Sequence, residues 1–343
     1  MRTLRGFFLV LLLAPRPAAA ALVTITDCVS DPHIVVNVGN GSTRIEIPGD
    51  DLVLACGLSP LSGTDRVVII AHDVTIDGPA GGITASSDAK AIDITASGTF
   101  TARDTAIEST GNNGSMEIAS TGDMLFERTI VDLGGSTSGD DMRIHCDGAA
   151  PDCTLTARDT TFESRLTYIT AVGDITFSAV RLLSHSPRDY IRVISTHGDV
   201  LLGSQGLSGL ACCGGGRRDP TIVLTGNEGN LLIEAFGLID AKGANILVSE
   251  FITFTSGVGL GPALVPATID ITDASVRNDF AKQGEIVMTA DENLSTITIA
   301  NAILVDDDTA AGVDDVAELN TCEQVPRTLP PCLNIVGTPA IDD

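Results

Sequence analysis

Apolar and polar positions alternate in short runs along most of this chain, and the runs recur. Ile92-Asp93-Ile94, Met116-Glu117-Ile118 and Met142-Arg143-Ile144 each put two apolar side chains on one side and a charged one on the other. That is the period of a strand with one buried face. Small polar residues and a glycine close the unit in Ile94-Thr95-Ala96-Ser97-Gly98, Ile118-Ala119-Ser120-Thr121-Gly122, Ile169-Thr170-Ala171-Val172-Gly173 and Ile194-Ser195-Thr196-His197-Gly198. From Gly98 the closing glycines step by 24 to Gly122, by 51 to Gly173 and by 25 to Gly198, so the middle step spans two units. A second strand is expected after each glycine: Thr99-Phe100-Thr101, Met124-Leu125-Phe126, Leu155-Thr156, Ile175-Thr176-Phe177, Val200-Leu201-Leu202, Leu231-Leu232-Ile233 and Ile252-Thr253-Phe254. A polar corner and a third short strand complete the unit. Thr101-Ala102-Arg103-Asp104-Thr105 recurs two units further on as Thr156-Ala157-Arg158-Asp159-Thr160.

A fixed repeat in this range predicts a solenoid, whose units bury their apolar side only by stacking on one another. The runs are rich in Ile, Val, Thr and Phe, which favour strands. Antiparallel hairpins would need tight two-residue turns at alternate junctions. The register instead repeats about once per 25 residues, enough for roughly three strands and three corners. The predicted class is all-β: a single-stranded parallel β-helix with each strand paired to its copy in the next coil. Sustained helical periodicity is absent. Stacking of nine to eleven coils at about 4.8 Å gives a rod of roughly 45–55 Å.

The ends read differently. Arg2 and Arg5 precede the apolar run Phe7–Ala14, and Ala18-Ala19-Ala20 offers a cleavage site. Residues 1–20 are therefore expected to be a secretory signal peptide, too short in its apolar part to span a bilayer. Residues 21–66 are expected to cap the solenoid, 67–308 to form it, and 309–343 to be an irregular tail stapled by Cys322 and Cys332. One coil looks interrupted. Ile194 finds its expected counterpart at Leu224, a longer step than the others, because Gly206–Pro220 adds a loop. That loop carries Cys212, Cys213, Arg217 and Arg218. Solenoid insertions often lie on the binding face, which makes Arg217 and Arg218 binding candidates.

Charge narrows the partners. The chain has 45 acids, 20 bases and a net charge of −25. Removing residues 1–20 takes away Arg2, Arg5 and Arg16 and no acid, so the charge falls to −28. Such a surface repels nucleic acid and anionic membrane. No later segment is apolar and long enough to insert in a bilayer as a helix. Eight cysteines in an exported chain imply disulfides, and spacing suggests Cys28 with Cys56, Cys146 with Cys153 and Cys322 with Cys332. Adjacent Cys212 and Cys213 fit no unstrained local bridge. Location outside the cell, on its surface or in a periplasm follows.

The recurrent Gly122-Asp123, Gly173-Asp174 and Gly198-Asp199 steps, each followed by an apolar-polar-apolar run, resemble the repeats of filamentous-haemagglutinin-type surface proteins. More broadly, residues 75–305 resemble the right-handed parallel β-helix proteins of the pectate-lyase-like superfamily. The resemblance implies fold, export and surface display. It does not imply a chemistry.

Candidate chemistry on that scaffold is sparse. Gly139-Asp140-Asp141 is similar to the paired-aspartate motif of polygalacturonase-type hydrolases, which use one carboxylic acid and activate water with others. The Gly-His-Gly and Arg-x-Lys partners are missing: His197 sits in Thr196-His197-Gly198, and Arg188 and Arg192 have no lysine at the needed spacing. The weak catalytic set is therefore Asp140, Asp141, Arg188 and Arg192. A ladder of paired charges on a stacked face is the competing reading of Arg143, Arg165, Arg188 and Arg192. There is no Trp, and the tyrosines are Tyr168 and Tyr190 alone. The five histidines share no short spacing, so no metal site is predicted. No cofactor is expected, calcium being the one ion the aspartates leave open. The favoured expectation is a non-catalytic structural or adhesive module with a glycan or cell-surface ligand. The alternatives are a lyase or hydrolase of acidic polysaccharide and a calcium-binding matrix component.

Overall fold

In the computed structural model, the described residues are 20–306 without 62–63, 79–80, 88–89, 112–113, 135–140, 149–152, 185–188, 203–220, 225–228, 258–266, 273, 279–284, 291–295 and 300–302, together with 317–321 and 340–342. The described chain is all-β. Its strands form three long sheets of twelve, eleven and ten strands, called here broad, second and third. One circuit of the chain visits each in turn. Ser115–Ser120 lies in the broad sheet, Met124–Glu127 in the second and Ile130–Leu133 in the third. The next circuit begins at Asp141–Cys146, paired parallel with Ser115–Ser120. This arrangement is consistent with a β-helix solenoid. Among the described residues every strand pairing is parallel except Ile34–Asn37 with Ser42–Ile47, a hairpin at one end of the broad sheet. Strands within 21–66 and 309–343 join the same sheets: Leu22–Ile25 pairs with Asp51–Leu54, and Ala317–Thr321 with Glu285–Ala290.

Alternation sets which side chains enter the core. In Ser115–Ser120, Met116, Ile118 and Ser120 are buried while Ser115, Glu117 and Ala119 face outward. Parallel register stacks like on like, so Ile94, Ile118, Ile144 and Ile169 form one column. The next position in the column is Val193: Ile194, read from the sequence as the copy of Ile169, is one residue out of phase and faces outward beside Thr170. One continuous apolar cluster draws side chains from all three sheets. Inside it Phe126 of the second sheet has its ring centroid 5.3 Å from Phe100 and 5.3 Å from Phe162 of the third. Each buried phenyl contributes roughly 1.5–3 kcal/mol by area alone.

Two corners carry the sequence motifs. The glycine-aspartate step lies between the broad and second sheets. Asp73 Oδ1 accepts the backbone N–H of Thr99 at 2.6 Å, Asp123 that of Thr154 at 2.9 Å, Asp174 that of Asp199 at 2.9 Å, and Asp199 that of Leu238 at 2.7 Å. These residues occupy equivalent places in successive coils, so each carboxylate fastens its coil to the next. Glycine precedes Asp123, Asp174 and Asp199, while His72 precedes Asp73. A Cβ on Gly198 would sit 2.4 Å from Asp174 Oδ1 and 2.6 Å from backbone atoms of Gly173 and Asp174.

The second corner turns from the second sheet to the third. Asp104, Arg128, Asp159 and Ala179 stack there with φ between 48° and 53°. This left-handed conformation is tolerated by aspartate better than by most residues. The Arg128 guanidinium bridges to Asp104, with Nη2 2.8 Å from Oδ2. The next residue is a buried threonine in three of these coils; the Thr129 and Thr160 hydroxyls donate to backbone carbonyls at 3.1 and 2.9 Å. The recurrence of Thr101–Thr105 as Thr156–Thr160 is thus the signature of this turn.

Among the described residues two disulfides form, Cys28–Cys56 and Cys146–Cys153. Cys322 and Cys332 lie outside the described residues, as do Cys212 and Cys213.

The interrupted coil differs from the sequence reading. Ile194 pairs with Glu234 and not with Leu224. Leu224 belongs to Thr221–Leu224, a third-sheet strand paired with Arg181–Ser184 in the preceding coil. Leu231–Ile233 and Ile252–Phe254, expected as the second strand of their units, lie instead in the broad sheet. Alternation shows that a segment has a buried face but does not say which sheet it belongs to. Gly229 precedes its strand as the corner glycines do, and the extra residues 203–220 hide the change of phase.

Candidate functional site

The outward face of the broad sheet gathers the polar side chains that alternate with the core. Register places Asp93, Glu117, Arg143, Tyr168, Arg192 and Leu232 in one row across successive strands. The adjacent row holds Thr95, Ala119, His145, Thr170, Ile194 and Glu234. A shallow depression of about 460 Å³ opens here, lined by Glu117, Arg143, His145, Asp147, Tyr168 and Thr170.

Both tyrosines of the chain meet on this face. Tyr168 and Tyr190 pack edge to face with ring centroids 5.8 Å apart. The Arg143 guanidinium carbon lies 5.8 Å from the Tyr168 centroid, within cation–π range. Burial of Tyr190 pushes its phenol above the ordinary value. Arg143 Nη2 pairs with Asp141 at 2.7 Å, and Arg192 Nη2 pairs with Glu234 at 2.8 Å. Asp141 Oδ1 and Arg192 Nε are enclosed without a hydrogen bond, so each partner satisfies only part of its charge.

At the other edge of the depression the charges are more tightly held. Lys90 Nζ is 2.6 Å from Glu117 and 3.0 Å from Asp93. The Lys90 bond holds the Glu117 carboxyl below the usual range, with His145 adding to the effect. His145 bridges Glu117, at 3.0 Å from Nε2, and Asp147, on Nδ1. Glu117 is therefore fixed as an anion at neutral pH. A general acid would need the opposite shift.

Of the weak catalytic set, Asp141 and Arg192 share this face but not a contact. They lie two strands apart, with Leu166–Ala171 between them, and each is paired to a different residue. Asp140 and Arg188 lie outside the described residues, as do Arg217 and Arg218. Arg143 and Arg192 do share a row, with Tyr168 between them; Arg165 precedes the strand that holds Tyr168.

Sequence reasoning passed over the tyrosine pair because it counted aromatics instead of placing them. The signal was present. Tyr168 precedes Ile169 as Glu117 precedes Ile118 and Arg143 precedes Ile144, and that phase faces outward.

Among the described residues no helix is long and apolar enough to cross a membrane. Comparison with protein-family models, with curated proteins and with solved structures returns no match for this chain.

Proposed function

We propose that the chain is an exported, non-catalytic adhesive module that binds glycan on the outward face of its broad sheet. In this reading the three sheets close into a right-handed parallel β-helix, similar to pectate-lyase-like scaffolds with haemagglutinin-type repeats. Residues 1–20 direct export. Residues 21–66 cap one end, a role that suits the antiparallel hairpin Ile34–Ile47.

The observation that carries the reading is the island of Arg143, Tyr168, Tyr190 and Arg192 in a chain with two tyrosines and a charge of −25. Tyrosine offers an apolar ring face for a sugar ring and a hydroxyl for its polar edge. The flanking guanidinium groups supply donors, and Glu117, His145 and Thr170 supply a fixed polar rim. Charges clamped by neighbours suit recognition, because they lose little order on binding. The two disulfides suit an oxidising compartment.

A glycan array probed with the full chain tests this, alongside a reducing-sugar release assay on each bound polymer. The expected result is saturable binding that falls at least tenfold in Tyr168→Ala with Tm unchanged, and no release of reducing ends. Binding untouched by Tyr168→Ala and Tyr190→Ala would refute the assignment of the site, and turnover would replace adhesion with catalysis.

A further inference from the structure

Among the described residues, stacking of coils creates one histidine cluster with the form of a chelate. His145 has carboxylates on opposite ring nitrogens, Glu117 on Nε2 and Asp147 on Nδ1, so no single ion reaches all three. His33 pairs with Asp31 alone. His72 is different. Asp51 Oδ1 lies 2.9 Å and Asp73 Oδ1 3.7 Å from the same nitrogen, Nδ1. One donor atom from each of the three residues falls within 4.8 Å of the others.

The fold brings these residues together from two coils. His72 and Asp73 form the corner after strand Arg66–Ala71. Leu52 is in register with Val74, so Asp51 is the counterpart of Asp73 one coil earlier. Both carboxylates are aimed by backbone donors: the Asp73 N–H reaches Asp51 Oδ1 at 3.4 Å and the Thr99 N–H reaches Asp73 Oδ1 at 2.6 Å. The His72 N–H donates to the Asp50 carbonyl at 2.8 Å. On the following coil stands Gly98, where a Cβ would lie 2.2 Å from Asp73 Oδ1 and 3.2 Å from His72 Cε1. Glycine there keeps the space that the imidazole and carboxylate occupy. Outer-shell orientation is what a metal site requires beyond its ligands.

We propose that Asp51, His72 and Asp73 form a surface site for a divalent transition-metal ion of the Zn²⁺ class. A proton on Nδ1 can be shared with one carboxylate at a time, and the cluster keeps at least one negative charge in either state of the histidine. A divalent ion satisfies all three groups together. The imidazole selects Zn²⁺, Ni²⁺ or Cu²⁺ over Ca²⁺ and Mg²⁺, which favour oxygen alone. Three protein ligands leave a position for water. The side chains are 46 %, 31 % and 37 % exposed for His72, Asp51 and Asp73, so an ion has direct access. Asp51→Asn keeps an oxygen for the Asp73 amide and removes a charge, which separates ligation from the corner's hydrogen bond.

The test is calorimetric titration of the metal-stripped full chain with ZnCl₂, with histidine ring NMR signals followed in parallel. One ion per chain is expected, with a shift of the His72 ring signals. Affinity should fall at least tenfold in His72→Ala and Asp51→Asn, and about 1 mM CaCl₂ should not displace the ion. The absence of a saturable site, equal affinity in His72→Ala, or displacement by Ca²⁺ would overturn the proposal. Should His72→Ala lower the Tm of the metal-free chain, the ring signals of the unaltered chain decide. A shift at His72 supports the site, and shifts confined to other histidines reject it.

Discussion

Replacing Asp132 by Asn should make the protein more stable at neutral pH and leave it unchanged in acid. On the outward face of the third sheet, Glu108, Asp132 and Glu163 stand in register on adjacent strands, so three carboxylates follow one another at about 4.8 Å. Thr84 and Leu183 flank them, and neither supplies a cation. Asp132 Oδ1 is enclosed without a hydrogen bond. Burial, then repulsion from Glu163 and Glu108, pushes the Asp132 carboxyl up to about 6. A carboxyl raised in the folded state contributes most to stability when protonated. That contribution is complete below the unfolded value of 3.8 and is lost as pH rises through about 6.

The gap of 2.2 between those two values corresponds to about 3 kcal/mol as an upper bound. Asp132 is half-buried, and solvent screening reduces this to about 1 kcal/mol. Asn has nearly the same shape and no charge. Urea unfolding of parent and variant should therefore give Asp132→Asn an advantage of about 1 kcal/mol near pH 7.5, shrinking through pH 6 and gone below about pH 4. Comparing the two proteins at each pH cancels the general relief of repulsion in so acidic a chain. An advantage that is equal at both ends of the pH range, or a loss at pH 7.5, would refute the reasoning.

The corners and core give further expectations. Gly198→Ala should cost about 2–3 kcal/mol, because its Cβ would meet backbone of the neighbouring coil, whereas Gly134→Ala, with its nearest neighbour at 3.4 Å, should stay within about 0.5 kcal/mol; paired urea curves compare them. Asp123→Ala removes the acceptor of both the Thr154 N–H and hydroxyl, each at 2.9 Å, and should cost about 1 kcal/mol, with Asp123→Asn recovering part of it. Phe126→Ala opens the centre of the phenyl stack and should cost about 3–5 kcal/mol, read as a lowered urea midpoint with an unchanged slope.

The fold was legible where one signal sufficed. Alternation in Ile92–Ile94 and Met116–Ile118 gave the buried face, and the spacing of Gly98, Gly122, Gly173 and Gly198 gave the stacking. The Thr101–Thr105 repeat marked a turn before its left-handed aspartate was visible. Sequence failed where two sheets share one pattern. Leu224 and Glu234 both lie in short apolar-alternating strands, and only pairing shows that Ile194 meets Glu234. The site was harder still. Asp51 and His72 are 21 residues apart, and no local spacing announces them. Tyr168 and Tyr190 were visible as residues, but their contact depends on a diagonal between adjacent strands. Chemistry on a stacked sheet is read across coils, so it emerges only after the register is known.

Cysteine pairs test that register most directly. Ile194 and Glu234 face outward on adjacent strands, while Leu224 points into the core from another sheet. Oxidation of Ile194→Cys/Glu234→Cys, mapped by peptide mass spectrometry, should yield a bridge between the two introduced cysteines, and Ile194→Cys/Leu224→Cys should yield none. A bridge in the second variant and not in the first would contradict the broad-sheet stacking on which the fold and the tyrosine face rest.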